Sequence, residues 1–173
     1  MKLRSKKEGF TLIEILIGVS IIAVTMTAMT NLVIVSMRAN TFNMNTLQAY
    51  YLAEEGLEAM RNMRDSNWMQ NYGWNMGEGF ECGMEGGSYR FTASKGDPWT
   101  LTLNGDPQLY EVDNVSHMSF SHSGGKESAF SRYILVEYEE CESGAAKISS
   151  VVEWSERGND QNITLTTYLT DWR

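Results

Sequence analysis

The stretch Gly9-Phe10-Thr11-Leu12-Ile13-Glu14-Ile15-Leu16-Ile17 decides how this chain folds and where it resides. Before it lies a short basic leader carrying Lys2, Arg4, Lys6 and Lys7. After Glu14 no charged side chain occurs until Arg38, which leaves 23 uncharged residues from Ile15 to Met37. At 1.5 Å rise per residue such a segment makes a helix of roughly 35 Å, longer than the hydrocarbon core of about 30 Å. Basic residues on the leader side place the N-terminus in the cytoplasm and everything after Met37 outside.

Two simpler readings compete with a functional one. A secretory signal peptide has an apolar region of about 7–15 residues before a small-residue cleavage site. This run is longer and ends in Val35-Ser36-Met37-Arg38, which offers no such site. An ordinary single-pass anchor explains the length and the charge, but it leaves Glu14 unexplained. A carboxylate within a spanning helix costs about 2.5–3.5 kcal/mol at the centre and less near the interface, and such residues are mostly functional. Thr11-x-x-Glu14 also fits a capping box, with the carboxylate at the positive end of the helix dipole. That local role needs no partner and can coexist with another.

The junction from Gly9 to Ile17 resembles the class III leader of type IV pilins and of type II secretion pseudopilins. The resemblance implies that a prepilin peptidase cuts after Gly9 and methylates the new N-terminal residue, Phe10. It implies an apolar helix that first anchors the subunit in membrane lipid and later forms a filament core. Glu14 would then pair with the Phe10 amine of a neighbouring subunit and set the assembly register. Pairing neutralises two charges that are costly to leave alone in an apolar bundle. The implied partners are the peptidase, other pilin subunits and an inner-membrane assembly platform. The implied location is the inner membrane before assembly and an extracellular pilus afterwards. Ala53-Glu54-Glu55-Gly56-Leu57-Glu58 with Arg61, Arg64, Asp65 and Trp68 resembles minor pilins of the PilV type. So does the ending Val151-Val152-Glu153-Trp154 through Tyr168-Leu169-Thr170-Asp171-Trp172.

Composition narrows the remaining classes. The 173 residues carry a net charge of −8, and loss of residues 1–9 removes four basic side chains and one acid. The remainder then holds 10 basic and 21 acidic residues, a net −11. Nucleic-acid binding needs clustered Lys and Arg against phosphate, so it is disfavoured. Topology and resemblance place Cys82 and Cys141 outside the cytoplasm, where a disulfide between them is expected. Closing a loop of about 60 residues is worth roughly 4 kcal/mol on chain-entropy grounds. Two unpaired thiols in a non-oxidising compartment are the alternative.

No proline precedes Pro98, so one helix can run from Phe10 to about Arg64. Its spanning half places Ala23, Thr27 and Asn31 four residues apart, with Gly18 and Ser20 near its start, and small or polar residues of this kind let membrane helices approach. From Asn40 the helix turns amphipathic, with Leu47, Tyr50, Ala53, Leu57, Met60 and Met63 as one stripe. Glu54, Glu55 and Glu58 precede Arg61 and Arg64, which suits a solvated face with a Glu58–Arg61 pair. Asp65-Ser66-Asn67 is expected to end the helix. The expected parts are a cleaved leader (1–9), a membrane and filament-core helix (10–37), an amphipathic helix (38–67), a glycine-rich connecting loop (68–87) and an antiparallel sheet (88–173).

Seven segments alternate apolar and polar residues: Ser88–Ala93, Trp99–Leu103, Gln108–Val112, Ser116–Ser121, Arg132–Glu139, Ile148–Trp154 and Asn162–Leu169. Asn104-Gly105-Asp106, Gly124-Gly125 and Arg157-Gly158-Asn159 supply turns between them. A long helix followed by short-looped strands predicts an α+β fold with the helix laid on an antiparallel sheet.

No enzymatic chemistry is expected, and neither is a cofactor or a metal. His117 and His122 are five apart and point to opposite faces of one strand. No phosphate-binding glycine loop, nucleophile elbow or calcium loop is present. The sequons at Asn114 and Asn162 lie in or beside strands, which makes them poor acceptors. A binding-module alternative would use Trp68, Trp74 and Trp99 as an aromatic surface for sugars or bases, against core packing as the other use.

Overall fold

The computed structural model describes residues 9–71, 88–92, 100–103, 105–114, 117–121, 125–138 and 145–170. The chain divides into two compact units, Met1–Met44 and Asn45–Arg173, and helix α1 (Leu12–Met69) contributes to both.

In the first unit, every described residue from Gly9 to Met44 is exposed except Gly18, which is half-buried. A helix that is apolar all round and has no buried side chain requires a non-aqueous neighbour. Its hydroxyls suit lipid because they are satisfied within the helix. Ser20 donates to the Ile17 carbonyl at 3.1 Å, Thr25 to Ile22 at 2.9 Å, Thr27 to Val24 at 2.8 Å and Thr30 to Met26 at 2.9 Å. Back-bonding of this kind removes the cost of an unpaired hydroxyl in hydrocarbon. Thr27 thus spends its donor on its own helix, without help from a neighbour.

Among the described residues the second unit joins the 45–69 part of α1 with a seven-stranded, antiparallel sheet. Its strands are β1 (Ser88–Thr92), β2 (Thr100–Leu103), β3 (Gln108–Asn114), β4 (His117–Ser121), β5 (Lys126–Tyr138), β6 (Ala145–Glu156) and β7 (Asn159–Thr170). Each overlaps an expected segment, and β3, β5, β6 and β7 are longer than expected. β5 is the organising strand. One of its edges pairs with β6 from Phe130↔Trp154 to Tyr138↔Ala146. The other is shared between β1, at Tyr89↔Ile134, and β3, from Gln108↔Ser131 to Glu111↔Lys126. β2 flanks β1, β4 flanks β3 and β7 flanks β6. The β6–β7 hairpin turns on Arg157 and Gly158, whose φ values of 55° and 80° are both left-handed. Two positive φ angles in a two-residue loop match the right-handed twist of the strands it joins.

Alternation aims one face of the sheet at α1. Phe130, Ile134 and Val136 of β5, and Ala146, Ile148, Val152 and Trp154 of β6, are buried on that face. The helix answers with Ala49, Leu52, Ala53, Leu57, Ala59, Met60 and Met63. Two clusters result. One gathers Leu57, Met60 and Met63 against Tyr89, Ile134, Ile148 and Leu169, and the other gathers Ala49, Leu52 and Ala53 against Leu109, Phe130, Val152 and Trp154. Between them the backbone of α1 comes so close that a Cβ on Gly56 would collide with Ser150 Oγ and sit 3.0 Å from Ile134 Cδ1.

That approach corrects the expected stripe. Leu47 and Tyr50 are exposed, whereas Ala49 and Leu52 are buried. At about 100° per residue, Leu47 and Tyr50 rotate off the face centred on Gly56, so small residues choose the contact face. The helix also outlasts Asp65-Ser66-Asn67. Asn71, with φ of 65°, ends it, donating its N–H to the Trp68 carbonyl at 2.9 Å. Asparagine tolerates this left-handed capping geometry better than most residues.

Candidate functional site

The N-terminal junction is built by Thr11. Its Oγ1 accepts the Glu14 N–H at 3.4 Å, and its carbonyl accepts from Glu14 N at 3.1 Å and Ile15 N at 3.2 Å. Those bonds satisfy amides that a helix start otherwise leaves open. They also fix the first helical residue at Leu12, so Gly9, Phe10 and Thr11 lie outside regular structure. The Gly9–Phe10 peptide therefore precedes the first helical turn, and Phe10 is 79 % exposed. An open, non-helical peptide is the form a protease can bind and cut.

Glu14 occupies the first turn, where the positive end of the dipole favours a carboxylate. It is exposed and forms no salt bridge among the described residues. Beside it, Leu12, Ile15, Leu16, Val19 and Ala23 make a continuous apolar flank. Among the described residues, a Cβ at position 9 would touch nothing within 4 Å, and the φ of Gly9 is not left-handed.

The other expected sites fare differently. Cys82, Cys141, His122, Trp74 and Trp99 lie outside the described residues, as does the His117 side chain. Among the described residues no group of three or more His, Cys, Asp or Glu could hold a metal. Glu58 pairs with Arg61 at 3.1 Å, as its spacing suggests. Trp68 packs against the core, with the Arg64 guanidinium 5.3 Å from its ring centroid.

Glu55 stays on the exposed face of α1 but also reaches the sheet. Its Oε2 accepts from Arg132 Nη1 at 2.6 Å, and the same nitrogen donates to the Leu52 carbonyl at 2.9 Å. Burial pushes the Arg132 pKa down, and the Glu55 carboxylate partly opposes that. Sequence reasoning missed this pair, although Arg132 shares strand parity with Ile134 and Val136 and so points inward. An open depression of about 410 Å³ on the sheet, lined by Gln108, Ser131, Glu153, Asp160 and Asn162 among others, was also beyond the reach of any motif.

The prokaryotic N-terminal methylation motif, as a family model, matches residues 4–30. The matched motif supports the resemblance of this leader to those of type IV pilins. The match covers the leader from Arg4, the Gly9–Phe10 junction, Glu14 and the apolar span as far as Thr30. No curated protein and no solved structure matched the chain. A class III leader implies processing by a prepilin peptidase and assembly with other pilins. The precursor is thus pilin-like or pseudopilin-like, with an apolar helix suited to membrane anchoring.

Proposed function

We propose that this chain is a structural subunit of an extracellular type IV pilus, cut between Gly9 and Phe10, methylated on Phe10 and incorporated as a minor pilin. The observation that carries the reading is the junction itself. An exposed, non-helical Gly9–Phe10 peptide stands directly before a capped apolar helix, inside the matched methylation motif. Among the described residues nothing crowds position 9, which fits a glycine selected by a peptidase pocket.

Assembly would move the apolar surface of α1 from lipid into a bundle of like helices, so little of it meets water on the way. Glu14 would find its counter-charge in the Phe10 amine of the next subunit. Either charge left alone in the bundle would cost several kcal/mol, on the order of a broken buried pair, and that penalty sets the register. The minor role rests on the resemblance of residues 53–68 and 151–172 to such subunits. A Cys82–Cys141 bridge belongs to the same proposal, and peptide mapping with and without reductant tests it.

A type II secretion pseudopilin would use the same leader and helix. A pilus-borne adhesin or DNA-uptake subunit would need an aromatic surface, and Trp68 instead packs on the core. Coexpression with a prepilin peptidase tests the reading. The chain should shorten by nine residues in the presence of active peptidase and stay full length with an inactive one.

A further inference from the structure

Arg38 is the only basic side chain from Phe10 to Met60, and no acidic one lies between Glu14 and Glu54. Glu54 follows it by 16 residues of continuous helix, about 24 Å, so α1 itself offers no counter-charge within reach. Arg38 is exposed and forms no salt bridge among the described residues. The polarity of the helix changes at the same point. Asn31 is the single carboxamide in the 23 residues before Arg38, whereas Asn40, Asn43 and Asn45 follow within seven. One turn below Arg38, Ile34 is 40 % exposed, less than any other large apolar side chain from Phe10 to Met37. Long side chains on a helix lean back over the preceding turn, so the aliphatic stem of Arg38 is the one suited to shield Ile34.

We propose that Arg38 binds the phosphate diester of a membrane lipid at the end of the span away from the leader. The inference rests on the membrane anchoring of α1 in the function proposed above. Glu14 and Arg38 are 24 residues apart on one unbroken helix, about 36 Å. With Glu14 at one boundary of a hydrocarbon core of about 30 Å, the Arg38 backbone stands about 6 Å beyond the other, inside a headgroup layer of about 5–8 Å. Leaning back, the side chain keeps its stem on apolar surface and its guanidinium level with the phosphates. The spacing is selective, because sliding the helix by one turn, about 5.4 Å, takes the guanidinium into hydrocarbon or clear of the phosphates. A phosphate diester offers one negative charge on two unesterified oxygens, which match the guanidinium fork in charge and geometry. Before assembly, lipid phosphates are the anions present at that depth. The same placement leaves Gly9–Phe10 outside the hydrocarbon core on the leader side.

The full chain in vesicles of phosphatidylethanolamine and phosphatidylglycerol tests this, washed in phosphate-free buffer so that every phosphorus belongs to lipid. Flotation through a density gradient first reads anchoring, and a chain that does not float overturns the anchoring reading together with this inference. Solid-state NMR then measures the dephasing of labelled arginine Cζ by lipid phosphorus, which reports direct guanidinium–phosphate contact. Arg4 in the leader can also meet phosphate, so the comparison is Arg4→Lys against Arg4→Lys/Arg38→Lys, both of which keep every charge. Both should float as wild type does. Arg4→Lys should retain a dephased signal equal to one arginine's share, and the double variant should lose it. Floating protein with no dephasing in Arg4→Lys, or with equal dephasing in the two variants, would overturn Arg38 as the phosphate site and leave the anchoring intact.

Discussion

Arg132 on β5 and Glu55 on α1 form an ion pair at 2.6 Å across the helix–sheet interface, with the arginine side chain 2 % exposed and the glutamate 48 % exposed. The pair is unevenly solvated. Its cation has no access to water, while its anion faces solvent and could be hydrated alone. Such pairs specify position more than they add stability, because desolvating the guanidinium offsets much of the attraction.

Removing the two partners should therefore have unequal effects. Glu55→Gln leaves a buried cation with weaker compensation and should cost about 1–2 kcal/mol, discounted for the half-exposed carboxylate. Arg132→Met removes the buried charge and fills its space, and should cost less than about 1 kcal/mol. Urea unfolding of the two variants compares them directly. An equal loss, or a larger one for Arg132→Met, contradicts the assignment.

Gly56 permits the close approach of α1 to Ser150 and Ile134. Alanine would gain about 1 kcal/mol in helix propensity. Overpacking should cost about 1–3 kcal/mol and outweigh that gain. Gly56→Ala should thus lower the thermal midpoint, and adding Ser150→Ala should recover part of the loss by removing the nearest atom. An unchanged or raised midpoint in the single variant would show that the interface has slack.

Tyr138 gives the sheet an alkaline limit. Burial, aided by nearby Tyr89, pushes its phenol up from 10.0 to about 12. The folded state therefore favours the neutral phenol. This contribution is complete below pH ~10 and is lost as pH rises through about 12. Tyr138→Phe should show a shallower fall in stability across that window, measured by chemical unfolding at stepped pH. Parallel curves for the two proteins would remove Tyr138 from the explanation.

Much of this architecture was legible from residue order. Period-two alternation located all seven strands, because one face of each had to meet a core. Arg157-Gly158 announced a hairpin because few dipeptides accept two left-handed residues in succession. The helix phase was not legible. Leu47 and Tyr50 look like core residues, but contact geometry rewarded Ala49, Ala53 and Gly56, whose value lies in what they lack. Likewise Glu55 sits among three glutamates, and only tertiary packing distinguishes the one that meets Arg132. The junction at Gly9–Glu14 was readable because its chemistry is local and linear.

Glu14 separates anchoring from assembly in the proposed function. Glu14→Ala should stay in the membrane fraction and still be cut after Gly9, yet be strongly depleted from sheared filaments. Immunoblots of membrane and filament fractions measure both outcomes. Incorporation at the wild-type level would leave Glu14 with its helix-capping role alone.

The central claim is that Gly9–Phe10 is a processing junction, and mass spectrometry of the N-terminal peptide of the mature protein tests it most directly. The account requires a peptide that begins at Phe10 and carries one methyl group on its amine. An intact Met1, or a new terminus after Met37, would contradict it.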